Sequence, residues 1–135
     1  MIASTTNIAA SVLKQAGYSG DDVGRMLRDI YGTNANGTAL ALKQAGYSVD
    51  QVGSVLKDVF TGDAGVAAQA LHYAGFGATE SARVLKDTFG ASLDTLISAL
   101  KDTWGLGKDT VWSLLQNLGY SFGDLFKEIP KFFGL

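Results

Sequence analysis

Apolar residues recur along the chain at helical spacing, and they do so in short blocks. In the block 52–60 the apolar side chains occupy positions i, i+3, i+4, i+7 and i+8, which places them along one side of a helix. Similar stripes recur at 23–31, 96–104 and 125–133, and smaller residues keep the same spacing at 9–16 and 41–45. A helix of about 11 residues is only about 16 Å long and is marginal alone. The pattern therefore predicts short helices that must stack on one another.

The blocks belong to a sequence repeat. The segment 13–19 returns at 42–48, and in altered form at 71–77, which sets a period of 29 residues. Leucine marks the successive helices at Leu13, Leu27, Leu42, Leu56, Leu71, Leu85, Leu100 and Leu115. A fixed period of this length is typical of helical repeat arrays. We expect an all-α fold, a tandem helical repeat in an α-solenoid-like stack of about nine short helices.

We expect one domain, 1–135, in three parts. Residues 1–8 form a lead-in, 9–104 the regular repeats, and 105–135 an atypical aromatic C-terminal repeat.

The glycines mark the helix ends. In the Gly17-Tyr18-Ser19 triplet, a left-handed Gly17 would let Tyr18 contact Leu13 in a Schellman motif, and Ser19 would cap the next helix. The same corner is expected around Gly46, Gly75 and Gly119, with further caps at Ser48, Ser92 and Ser121. Capping boxes are expected with Asp22, Gln51 and Asp124 as the third-position partners.

Two small-residue positions lie inside the predicted helices. Gly24 and Gly53 share one repeat position, which Ala82 takes in the third copy. Glycine inside a helix costs roughly 1 kcal/mol against alanine, so its recurrence indicates a close approach of two helices. A second row of small residues repeats at Ala10, Ala39 and Ala68.

The segment 41–60 carries the motif Ala-Leu-Lys-x-Ala-Gly-Tyr-Ser-x-x-x-Val-x-x-x-Leu-Lys-x-x-Phe. This motif resembles tandem helical repeats of large bacterial proteins, some of them secreted or toxin-like. The resemblance covers 9–104 well and the remainder loosely. It implies a bacterial repeat scaffold to which no chemistry is assigned.

Composition excludes several classes of function. A net charge of −2 offers no basic surface for nucleic acid, and the absence of cysteine excludes disulfides and thiolate metal sites. The segment 1–10 has no basic residue ahead of its weak apolar stretch, unlike a secretory signal. No run reaches the roughly 20 apolar residues of a membrane span. We predict neither a signal peptide nor a transmembrane segment, which leaves the compartment open between the cytoplasm and non-classical export.

Candidate chemistry is sparse, and we predict no catalytic, cofactor or metal site. His72 is the one histidine, and it takes a position that holds lysine in the earlier repeats, so we expect it to face solvent. The stretch 105–108 suggests a phosphate loop, but Asp102 and Asp109 stand where that motif needs glycine and a hydroxyl residue.

Acidic residues follow basic ones at Asp29, Asp58, Asp87 and Asp102. Adjacent helical residues do not face one another, so we expect parallel rows of opposite charge. These rows form a solvated outer face or, alternatively, a polar docking ridge.

The repeat changes toward the C-terminus, where large residues replace small ones. Phe126 and Ile97 take the glycine position, and Trp112 takes the alanine row. The candidate interaction residues are Trp104, Trp112, Phe122, Phe126, Phe132 and Phe133.

Three interpretations of this end stay open: a terminal cap, an interface for a protein partner or a second copy, and a membrane-binding surface. The sequence favours a non-enzymatic scaffold acting by protein–protein association, self-assembly included. A membrane-active or toxin-associated module is the alternative, and a carrier of a small apolar ligand ranks third.

Overall fold

The computed structural model describes the backbone of residues 2–134 and the side chains of residues 5–134. Across this range the chain forms nine α-helices and no strand, which confirms the all-α prediction. The helices are α1 Ile2–Gln15, α2 Gly20–Tyr31, α3 Ala35–Ala45, α4 Val49–Val55, α5 Ala64–Ala74, α6 Ala78–Asp87, α7 Leu93–Asp102, α8 Lys108–Asn117 and α9 Phe122–Phe133. A π-helical turn, Leu56–Phe60, continues directly from α4. The segment 1–8, expected as a lead-in, is helical from Ile2.

The predicted Schellman corners are present. The backbone N–H of Tyr18 donates to the carbonyl of Leu13 at 3.1 Å, and Gly17 has a left-handed φ of 97°. The same bond joins Tyr47 to Leu42, Phe76 to Leu71 and Tyr120 to Leu115. Each corner satisfies helix-end carbonyls and turns the chain within a few residues, which is what lets such short helices lie side by side.

The capping boxes are only partly as predicted. Ser48 and Gln51 form the complete box, with both reciprocal hydrogen bonds. Ser19 and Ser121 accept the third backbone N–H as expected, but the side chains of Asp22 and Asp124 do not return the bond. Aspartate is one methylene shorter than the glutamate or glutamine of this motif, so these two predictions were wrong.

The helices pack in two rows. In the first row α3 lies between α1 and α5, with extensive contacts to both, and in the second row α4 lies between α2 and α6. A second-row helix therefore has a preceding side, which contacts the earlier repeat, and a following side, which contacts the later one. The core between the rows is made of buried leucines, valines and alanines.

The recurring glycines lie where second-row helices touch. A Cβ built on Gly24 would collide with the Val55 side chain, and one built on Gly53 would collide with Val84. Both contacts join the following side of one helix to the preceding side of the next. The predicted close approach is confirmed at both positions.

The last three helices depart from this order. α7 contacts α5 and α6 on one side and α8 and α9 on the other, and α8 pairs with α9. Leu125 and Ile129, both fully buried, attach α9 to the core. The two ends of the stack are thus α1 with α2, and α8 with α9.

The prediction that adjacent charged residues do not pair was wrong. Nε of Arg28 lies 2.8 Å from Oδ1 of Asp29, and Nζ of Lys101 lies 3.4 Å from Oδ1 of Asp102. The long basic side chains reach sideways around the helix to their neighbours. All these groups are exposed, and exposed pairs contribute only about 0–1 kcal/mol.

Candidate interaction surfaces

The structure divides the six predicted aromatic residues among three places. Trp112, Phe122 and Phe126 lie together at the corner of α8 and α9. The ring centroids of Trp112 and Phe122 are 5.2 Å apart and meet edge to face, and those of Phe122 and Phe126 are 5.7 Å apart and stacked. We call these three residues the C-terminal aromatic surface.

Local sequence explains how these rings meet. Ser121 caps α9, so Phe122 is its first residue, and Phe126 follows one turn later on the same side. The Gly119–Tyr120 corner folds α8 back so that Trp112 reaches Phe122. Because Leu125 and Ile129 point into the core, the two phenylalanines point outward, each with 63% of its surface exposed.

A groove of about 630 Å³ lies beside the rings. Besides the three rings, it is lined by Ile129 and Pro130 and by the charged residues Lys108 and Asp109. The surface therefore joins an apolar cavity to two exposed rings, while the two charges that line the groove have opposite sign.

Trp104 lies elsewhere, in contact with the third repeat. Its ring meets the His72 ring edge to face at 5.5 Å, and its Nε1–H donates to the carbonyl of Phe76 at 3.3 Å. His72 is exposed, as predicted. Lys14 and Lys43 lie over Tyr47 and Phe76 in the same way, each 5.5 Å from the ring centroid, so the Trp104 contact continues an internal row.

Phe132 and Phe133 are half-buried and pack against the core. They are among the last residues of α9, at the positions that Ile30 and Tyr31 occupy in α2. Their packing attaches α9 to the core. Three of the six predicted residues are therefore brought together at one surface, and the other three support the stack.

A second apolar surface, which sequence analysis missed, lies at the opposite end. Ile8 and Val12 of α1, with Met26, Ile30 and Tyr31 of α2, line a groove of about 400 Å³. We call these five residues the N-terminal face. Ile30 is 73% exposed and Val12 is 58% exposed, so two aliphatic side chains stand largely in water.

A signal for this face was present in the repeat. Val12 and Ile30 occupy the positions of Ala41 and Val59, which are 0% and 3% exposed because the earlier repeat covers them. No described helix packs against the preceding side of the first repeat, so this side is open in the described stack. An apolar stripe alone does not tell which of its members lie on that side.

The described carboxylates show one unusual pair, on α2 and the π-helical turn. The pKa of Asp21 is raised, first by burial and next by its hydrogen bond to Asp58 and the charge of that group. Asp29 shows the opposite shift, because the hydrogen bond from Arg28 lowers its pKa. Within the described part of the chain, no three acidic or histidine side chains are placed to share a metal ion.

No helix in the described range has the length and apolar character needed to cross a membrane. Comparison of the chain with protein-family models, with curated proteins and with solved structures finds no match.

Proposed function

We propose that this protein is a non-enzymatic helical-repeat scaffold that acts by protein–protein association, and that its partner is a second copy of the chain. One observation carries the proposal. Phe122 and Phe126 are stacked, are mostly exposed, and stand on the side of α9 that would contact a further repeat. Exposed aromatic residues beside an apolar groove are typical of interface centres.

The free energy gained by burying the two rings indicates how large the contact between copies must be. Complete burial of a phenylalanine side chain contributes about 1.5–3 kcal/mol, whereas association costs about 4–15 kcal/mol in lost freedom of motion. The two rings alone do not hold a complex together. The partner must also cover Trp112 and the neighbouring groove, so the interface extends over both α8 and α9.

The test is light scattering on size-separated protein over about a hundredfold range of concentration, which spans nearly 3 kcal/mol of association free energy. We expect the mass of the wild type to rise with concentration, and that of Phe126→Ser to stay at one chain. Tyr73→Ser is the matched control, because Tyr73 is 58% exposed and lies on α5, outside both end surfaces. It should behave as the wild type does.

Equal association of Phe126→Ser and the wild type would contradict the proposal. So would a wild type that stays a single chain throughout.

A membrane-active module is the second candidate, because the same exposed rings could enter a lipid interface. The charged residues that line the groove beside them, Lys108 and Asp109, have opposite sign and do not form the basic face typical of interfacial helices. Co-sedimentation with vesicles of phosphatidylcholine and phosphatidylglycerol separates the two functions. Pelleting of the wild type and Tyr73→Ser, but not of Phe126→Ser, would favour the membrane.

A further inference from the structure

We infer that copies of this protein join head to tail, with the C-terminal aromatic surface of one copy seated on the N-terminal face of the next. The inference rests on the proposed self-association and names the surface that receives the rings. It follows from a comparison of α2 with α9, and from the contact that second-row helices make inside the chain.

α2 and α9 are two versions of one helix. Each has 12 residues, a serine cap at its start and a left-handed glycine after its end. Their buried anchors coincide, since Val23 and Leu27 of α2 match Leu125 and Ile129 of α9, and all four are fully buried. Positions can therefore be compared one by one.

The two helices expose opposite sides. On the following side, Gly20 and Gly24 of α2 are buried, whereas the matching Phe122 and Phe126 of α9 are exposed. On the preceding side, Ile30 of α2 is exposed, whereas the matching Phe132 of α9 is half-buried. Among the described helices, none packs before α2 in its row and none packs after α9.

Inside the chain these two sides meet. The following side of α2, at Gly24, packs against Val55 and Val59 on the preceding side of α4 and its π-helical turn. The positions of Val55 and Val59 correspond in α2 to Met26 and Ile30, two residues of the N-terminal face. The two ends of the described stack therefore carry the two halves of an interface that the protein already builds between its own repeats.

The residues at the ends fit a wider version of that contact. Rings stand where the internal contact has glycines, so the helices must lie further apart. The receiving side offers an open groove of about 400 Å³, and it has the flexible Met26 where the internal contact has the stiff Val55. A phenylalanine from the preceding copy has room to enter between α1 and α2.

This arrangement is heterologous, because each copy contacts one neighbour through its C-terminal aromatic surface and the other neighbour through its N-terminal face. Successive repeats within the chain follow the same head-to-tail order. A heterologous contact that does not close into a ring runs on into an open chain of copies. The expected product is therefore a series of growing assemblies with no fixed size.

Two singly blocked variants test the inference. Ile30→Asp disables the N-terminal face and leaves the aromatic rings intact, and Phe126→Asp does the reverse. Both positions are exposed, so neither change enters the core, and equal urea midpoints would verify folding. Val12→Asp serves as a second variant of the N-terminal face.

We expect the wild type to form growing assemblies, and each blocked variant alone to remain one chain. An equimolar mixture of Ile30→Asp and Phe126→Asp should form a species of twice the mass of one chain, because one functional contact remains and growth stops there. The double variant should stay single, and Tyr73→Asp should assemble as the wild type does.

Other outcomes for the blocked variants distinguish head-to-tail joining from self-association in general. If Ile30→Asp and Val12→Asp assemble fully while Phe126→Asp does not, two aromatic surfaces pair with each other. Head-to-tail joining is then overturned, but self-association stands. If only Phe126→Asp assembles, two N-terminal faces pair. Head-to-tail joining and the role of the C-terminal aromatic surface are then both overturned, although copies still associate. A wild type that never associates also overturns both.

Discussion

α2 and α9 have the same length and caps and the same buried anchors, yet water reaches opposite sides of them. α2 leaves Ile30 in solvent and buries Gly24, whereas α9 buries much of Phe132 and leaves Phe126 in solvent. The cause is the position of each helix in the stack. An amphipathic stripe determines that a helix packs, and the neighbours determine which flank of the stripe stays open.

The residue sizes on the following side agree with this explanation. Between repeats, a side chain at the Gly24 or Gly53 position would collide with the valine of the next helix. No described helix follows α9 at Phe126, so no contact within the described stack restricts this position to small residues. The change from glycine to phenylalanine therefore coincides with the last regular contact between described helices.

The largest expected effect tests whether the two helices are anchored alike. Leu27→Ala and Ile129→Ala each remove a fully buried aliphatic side chain, and such changes cost about 2–5 kcal/mol. We expect both variants to lose stability in this range, measured as the free energy of unfolding in urea.

Ile30→Ala and Phe126→Ala are the matched surface controls, and we expect each to change stability by less than about 0.5 kcal/mol. A much smaller loss for Ile129→Ala than for Leu27→Ala would show that α9 is only loosely attached. The two end helices, α2 and α9, would then not be anchored to the core in the same way.

Most of the fold could be predicted from the sequence, because each rule involved is local. The period of 29 residues, the Schellman corners and the Ser48–Gln51 box depend on residues only a few positions apart. The close approach at Gly24 was also predictable, since a costly mid-helix glycine that recurs needs a packing reason.

The candidate interaction surfaces were less predictable, because the exposure of a side chain depends on whether a neighbouring helix covers it. Trp104 and Phe126 are both aromatic residues late in the chain, yet one packs on His72 and the other stands in water. The exposed Val12 and Ile30 belong to stripes that look like any other core-forming stripe. Only the stacking order identifies them as members of an open end.

A smaller effect is expected at the helical glycines. Gly24→Ala and Gly53→Ala each place a methyl group against a stiff valine, and overpacking costs typically about 1–3 kcal/mol. Better helix propensity returns up to about 1 kcal/mol. We expect a net loss of up to about 2 kcal/mol in the free energy of unfolding for each variant.

Gly123→Ala supplies the comparison from α9. A Cβ at Gly123 would meet nothing within 4 Å, so we expect no loss and a gain of up to about 1 kcal/mol. Stabilisation by Gly24→Ala as well would mean that α2 and α4 can separate without cost, and that their close contact does not contribute to stability.

The smallest expected effect is a dependence of stability on pH. We expect it for α2 and not for α9, because Asp21 of α2 corresponds in α9 to Gly123, which has no side chain to titrate. Burial and the Asp58 carboxylate raise the pKa of Asp21 above the ordinary value of 3.8. The Asp21 carboxyl group therefore binds its proton more tightly in the folded state than in the unfolded state. Its contribution to stability falls as pH rises from the unfolded-state pKa through the higher folded-state pKa. We expect Asp21→Asn to be more stable than the wild type at neutral pH, with an advantage that shrinks as the solution is acidified.

Asp29→Asn is the control with the opposite sign. The hydrogen bond from Arg28 lowers the pKa of Asp29, so its contribution is present at neutral pH and is lost as pH falls through the folded-state pKa. Its removal should lower stability at neutral pH, and the loss should disappear in acid. Urea midpoints measured from about pH 7 down to about pH 3 follow both variants through the range where carboxylates titrate. If the Asp21→Asn difference were flat with pH, or had the sign of Asp29→Asn, the paired carboxylates of α2 and the π-helical turn would not be held together in the folded protein.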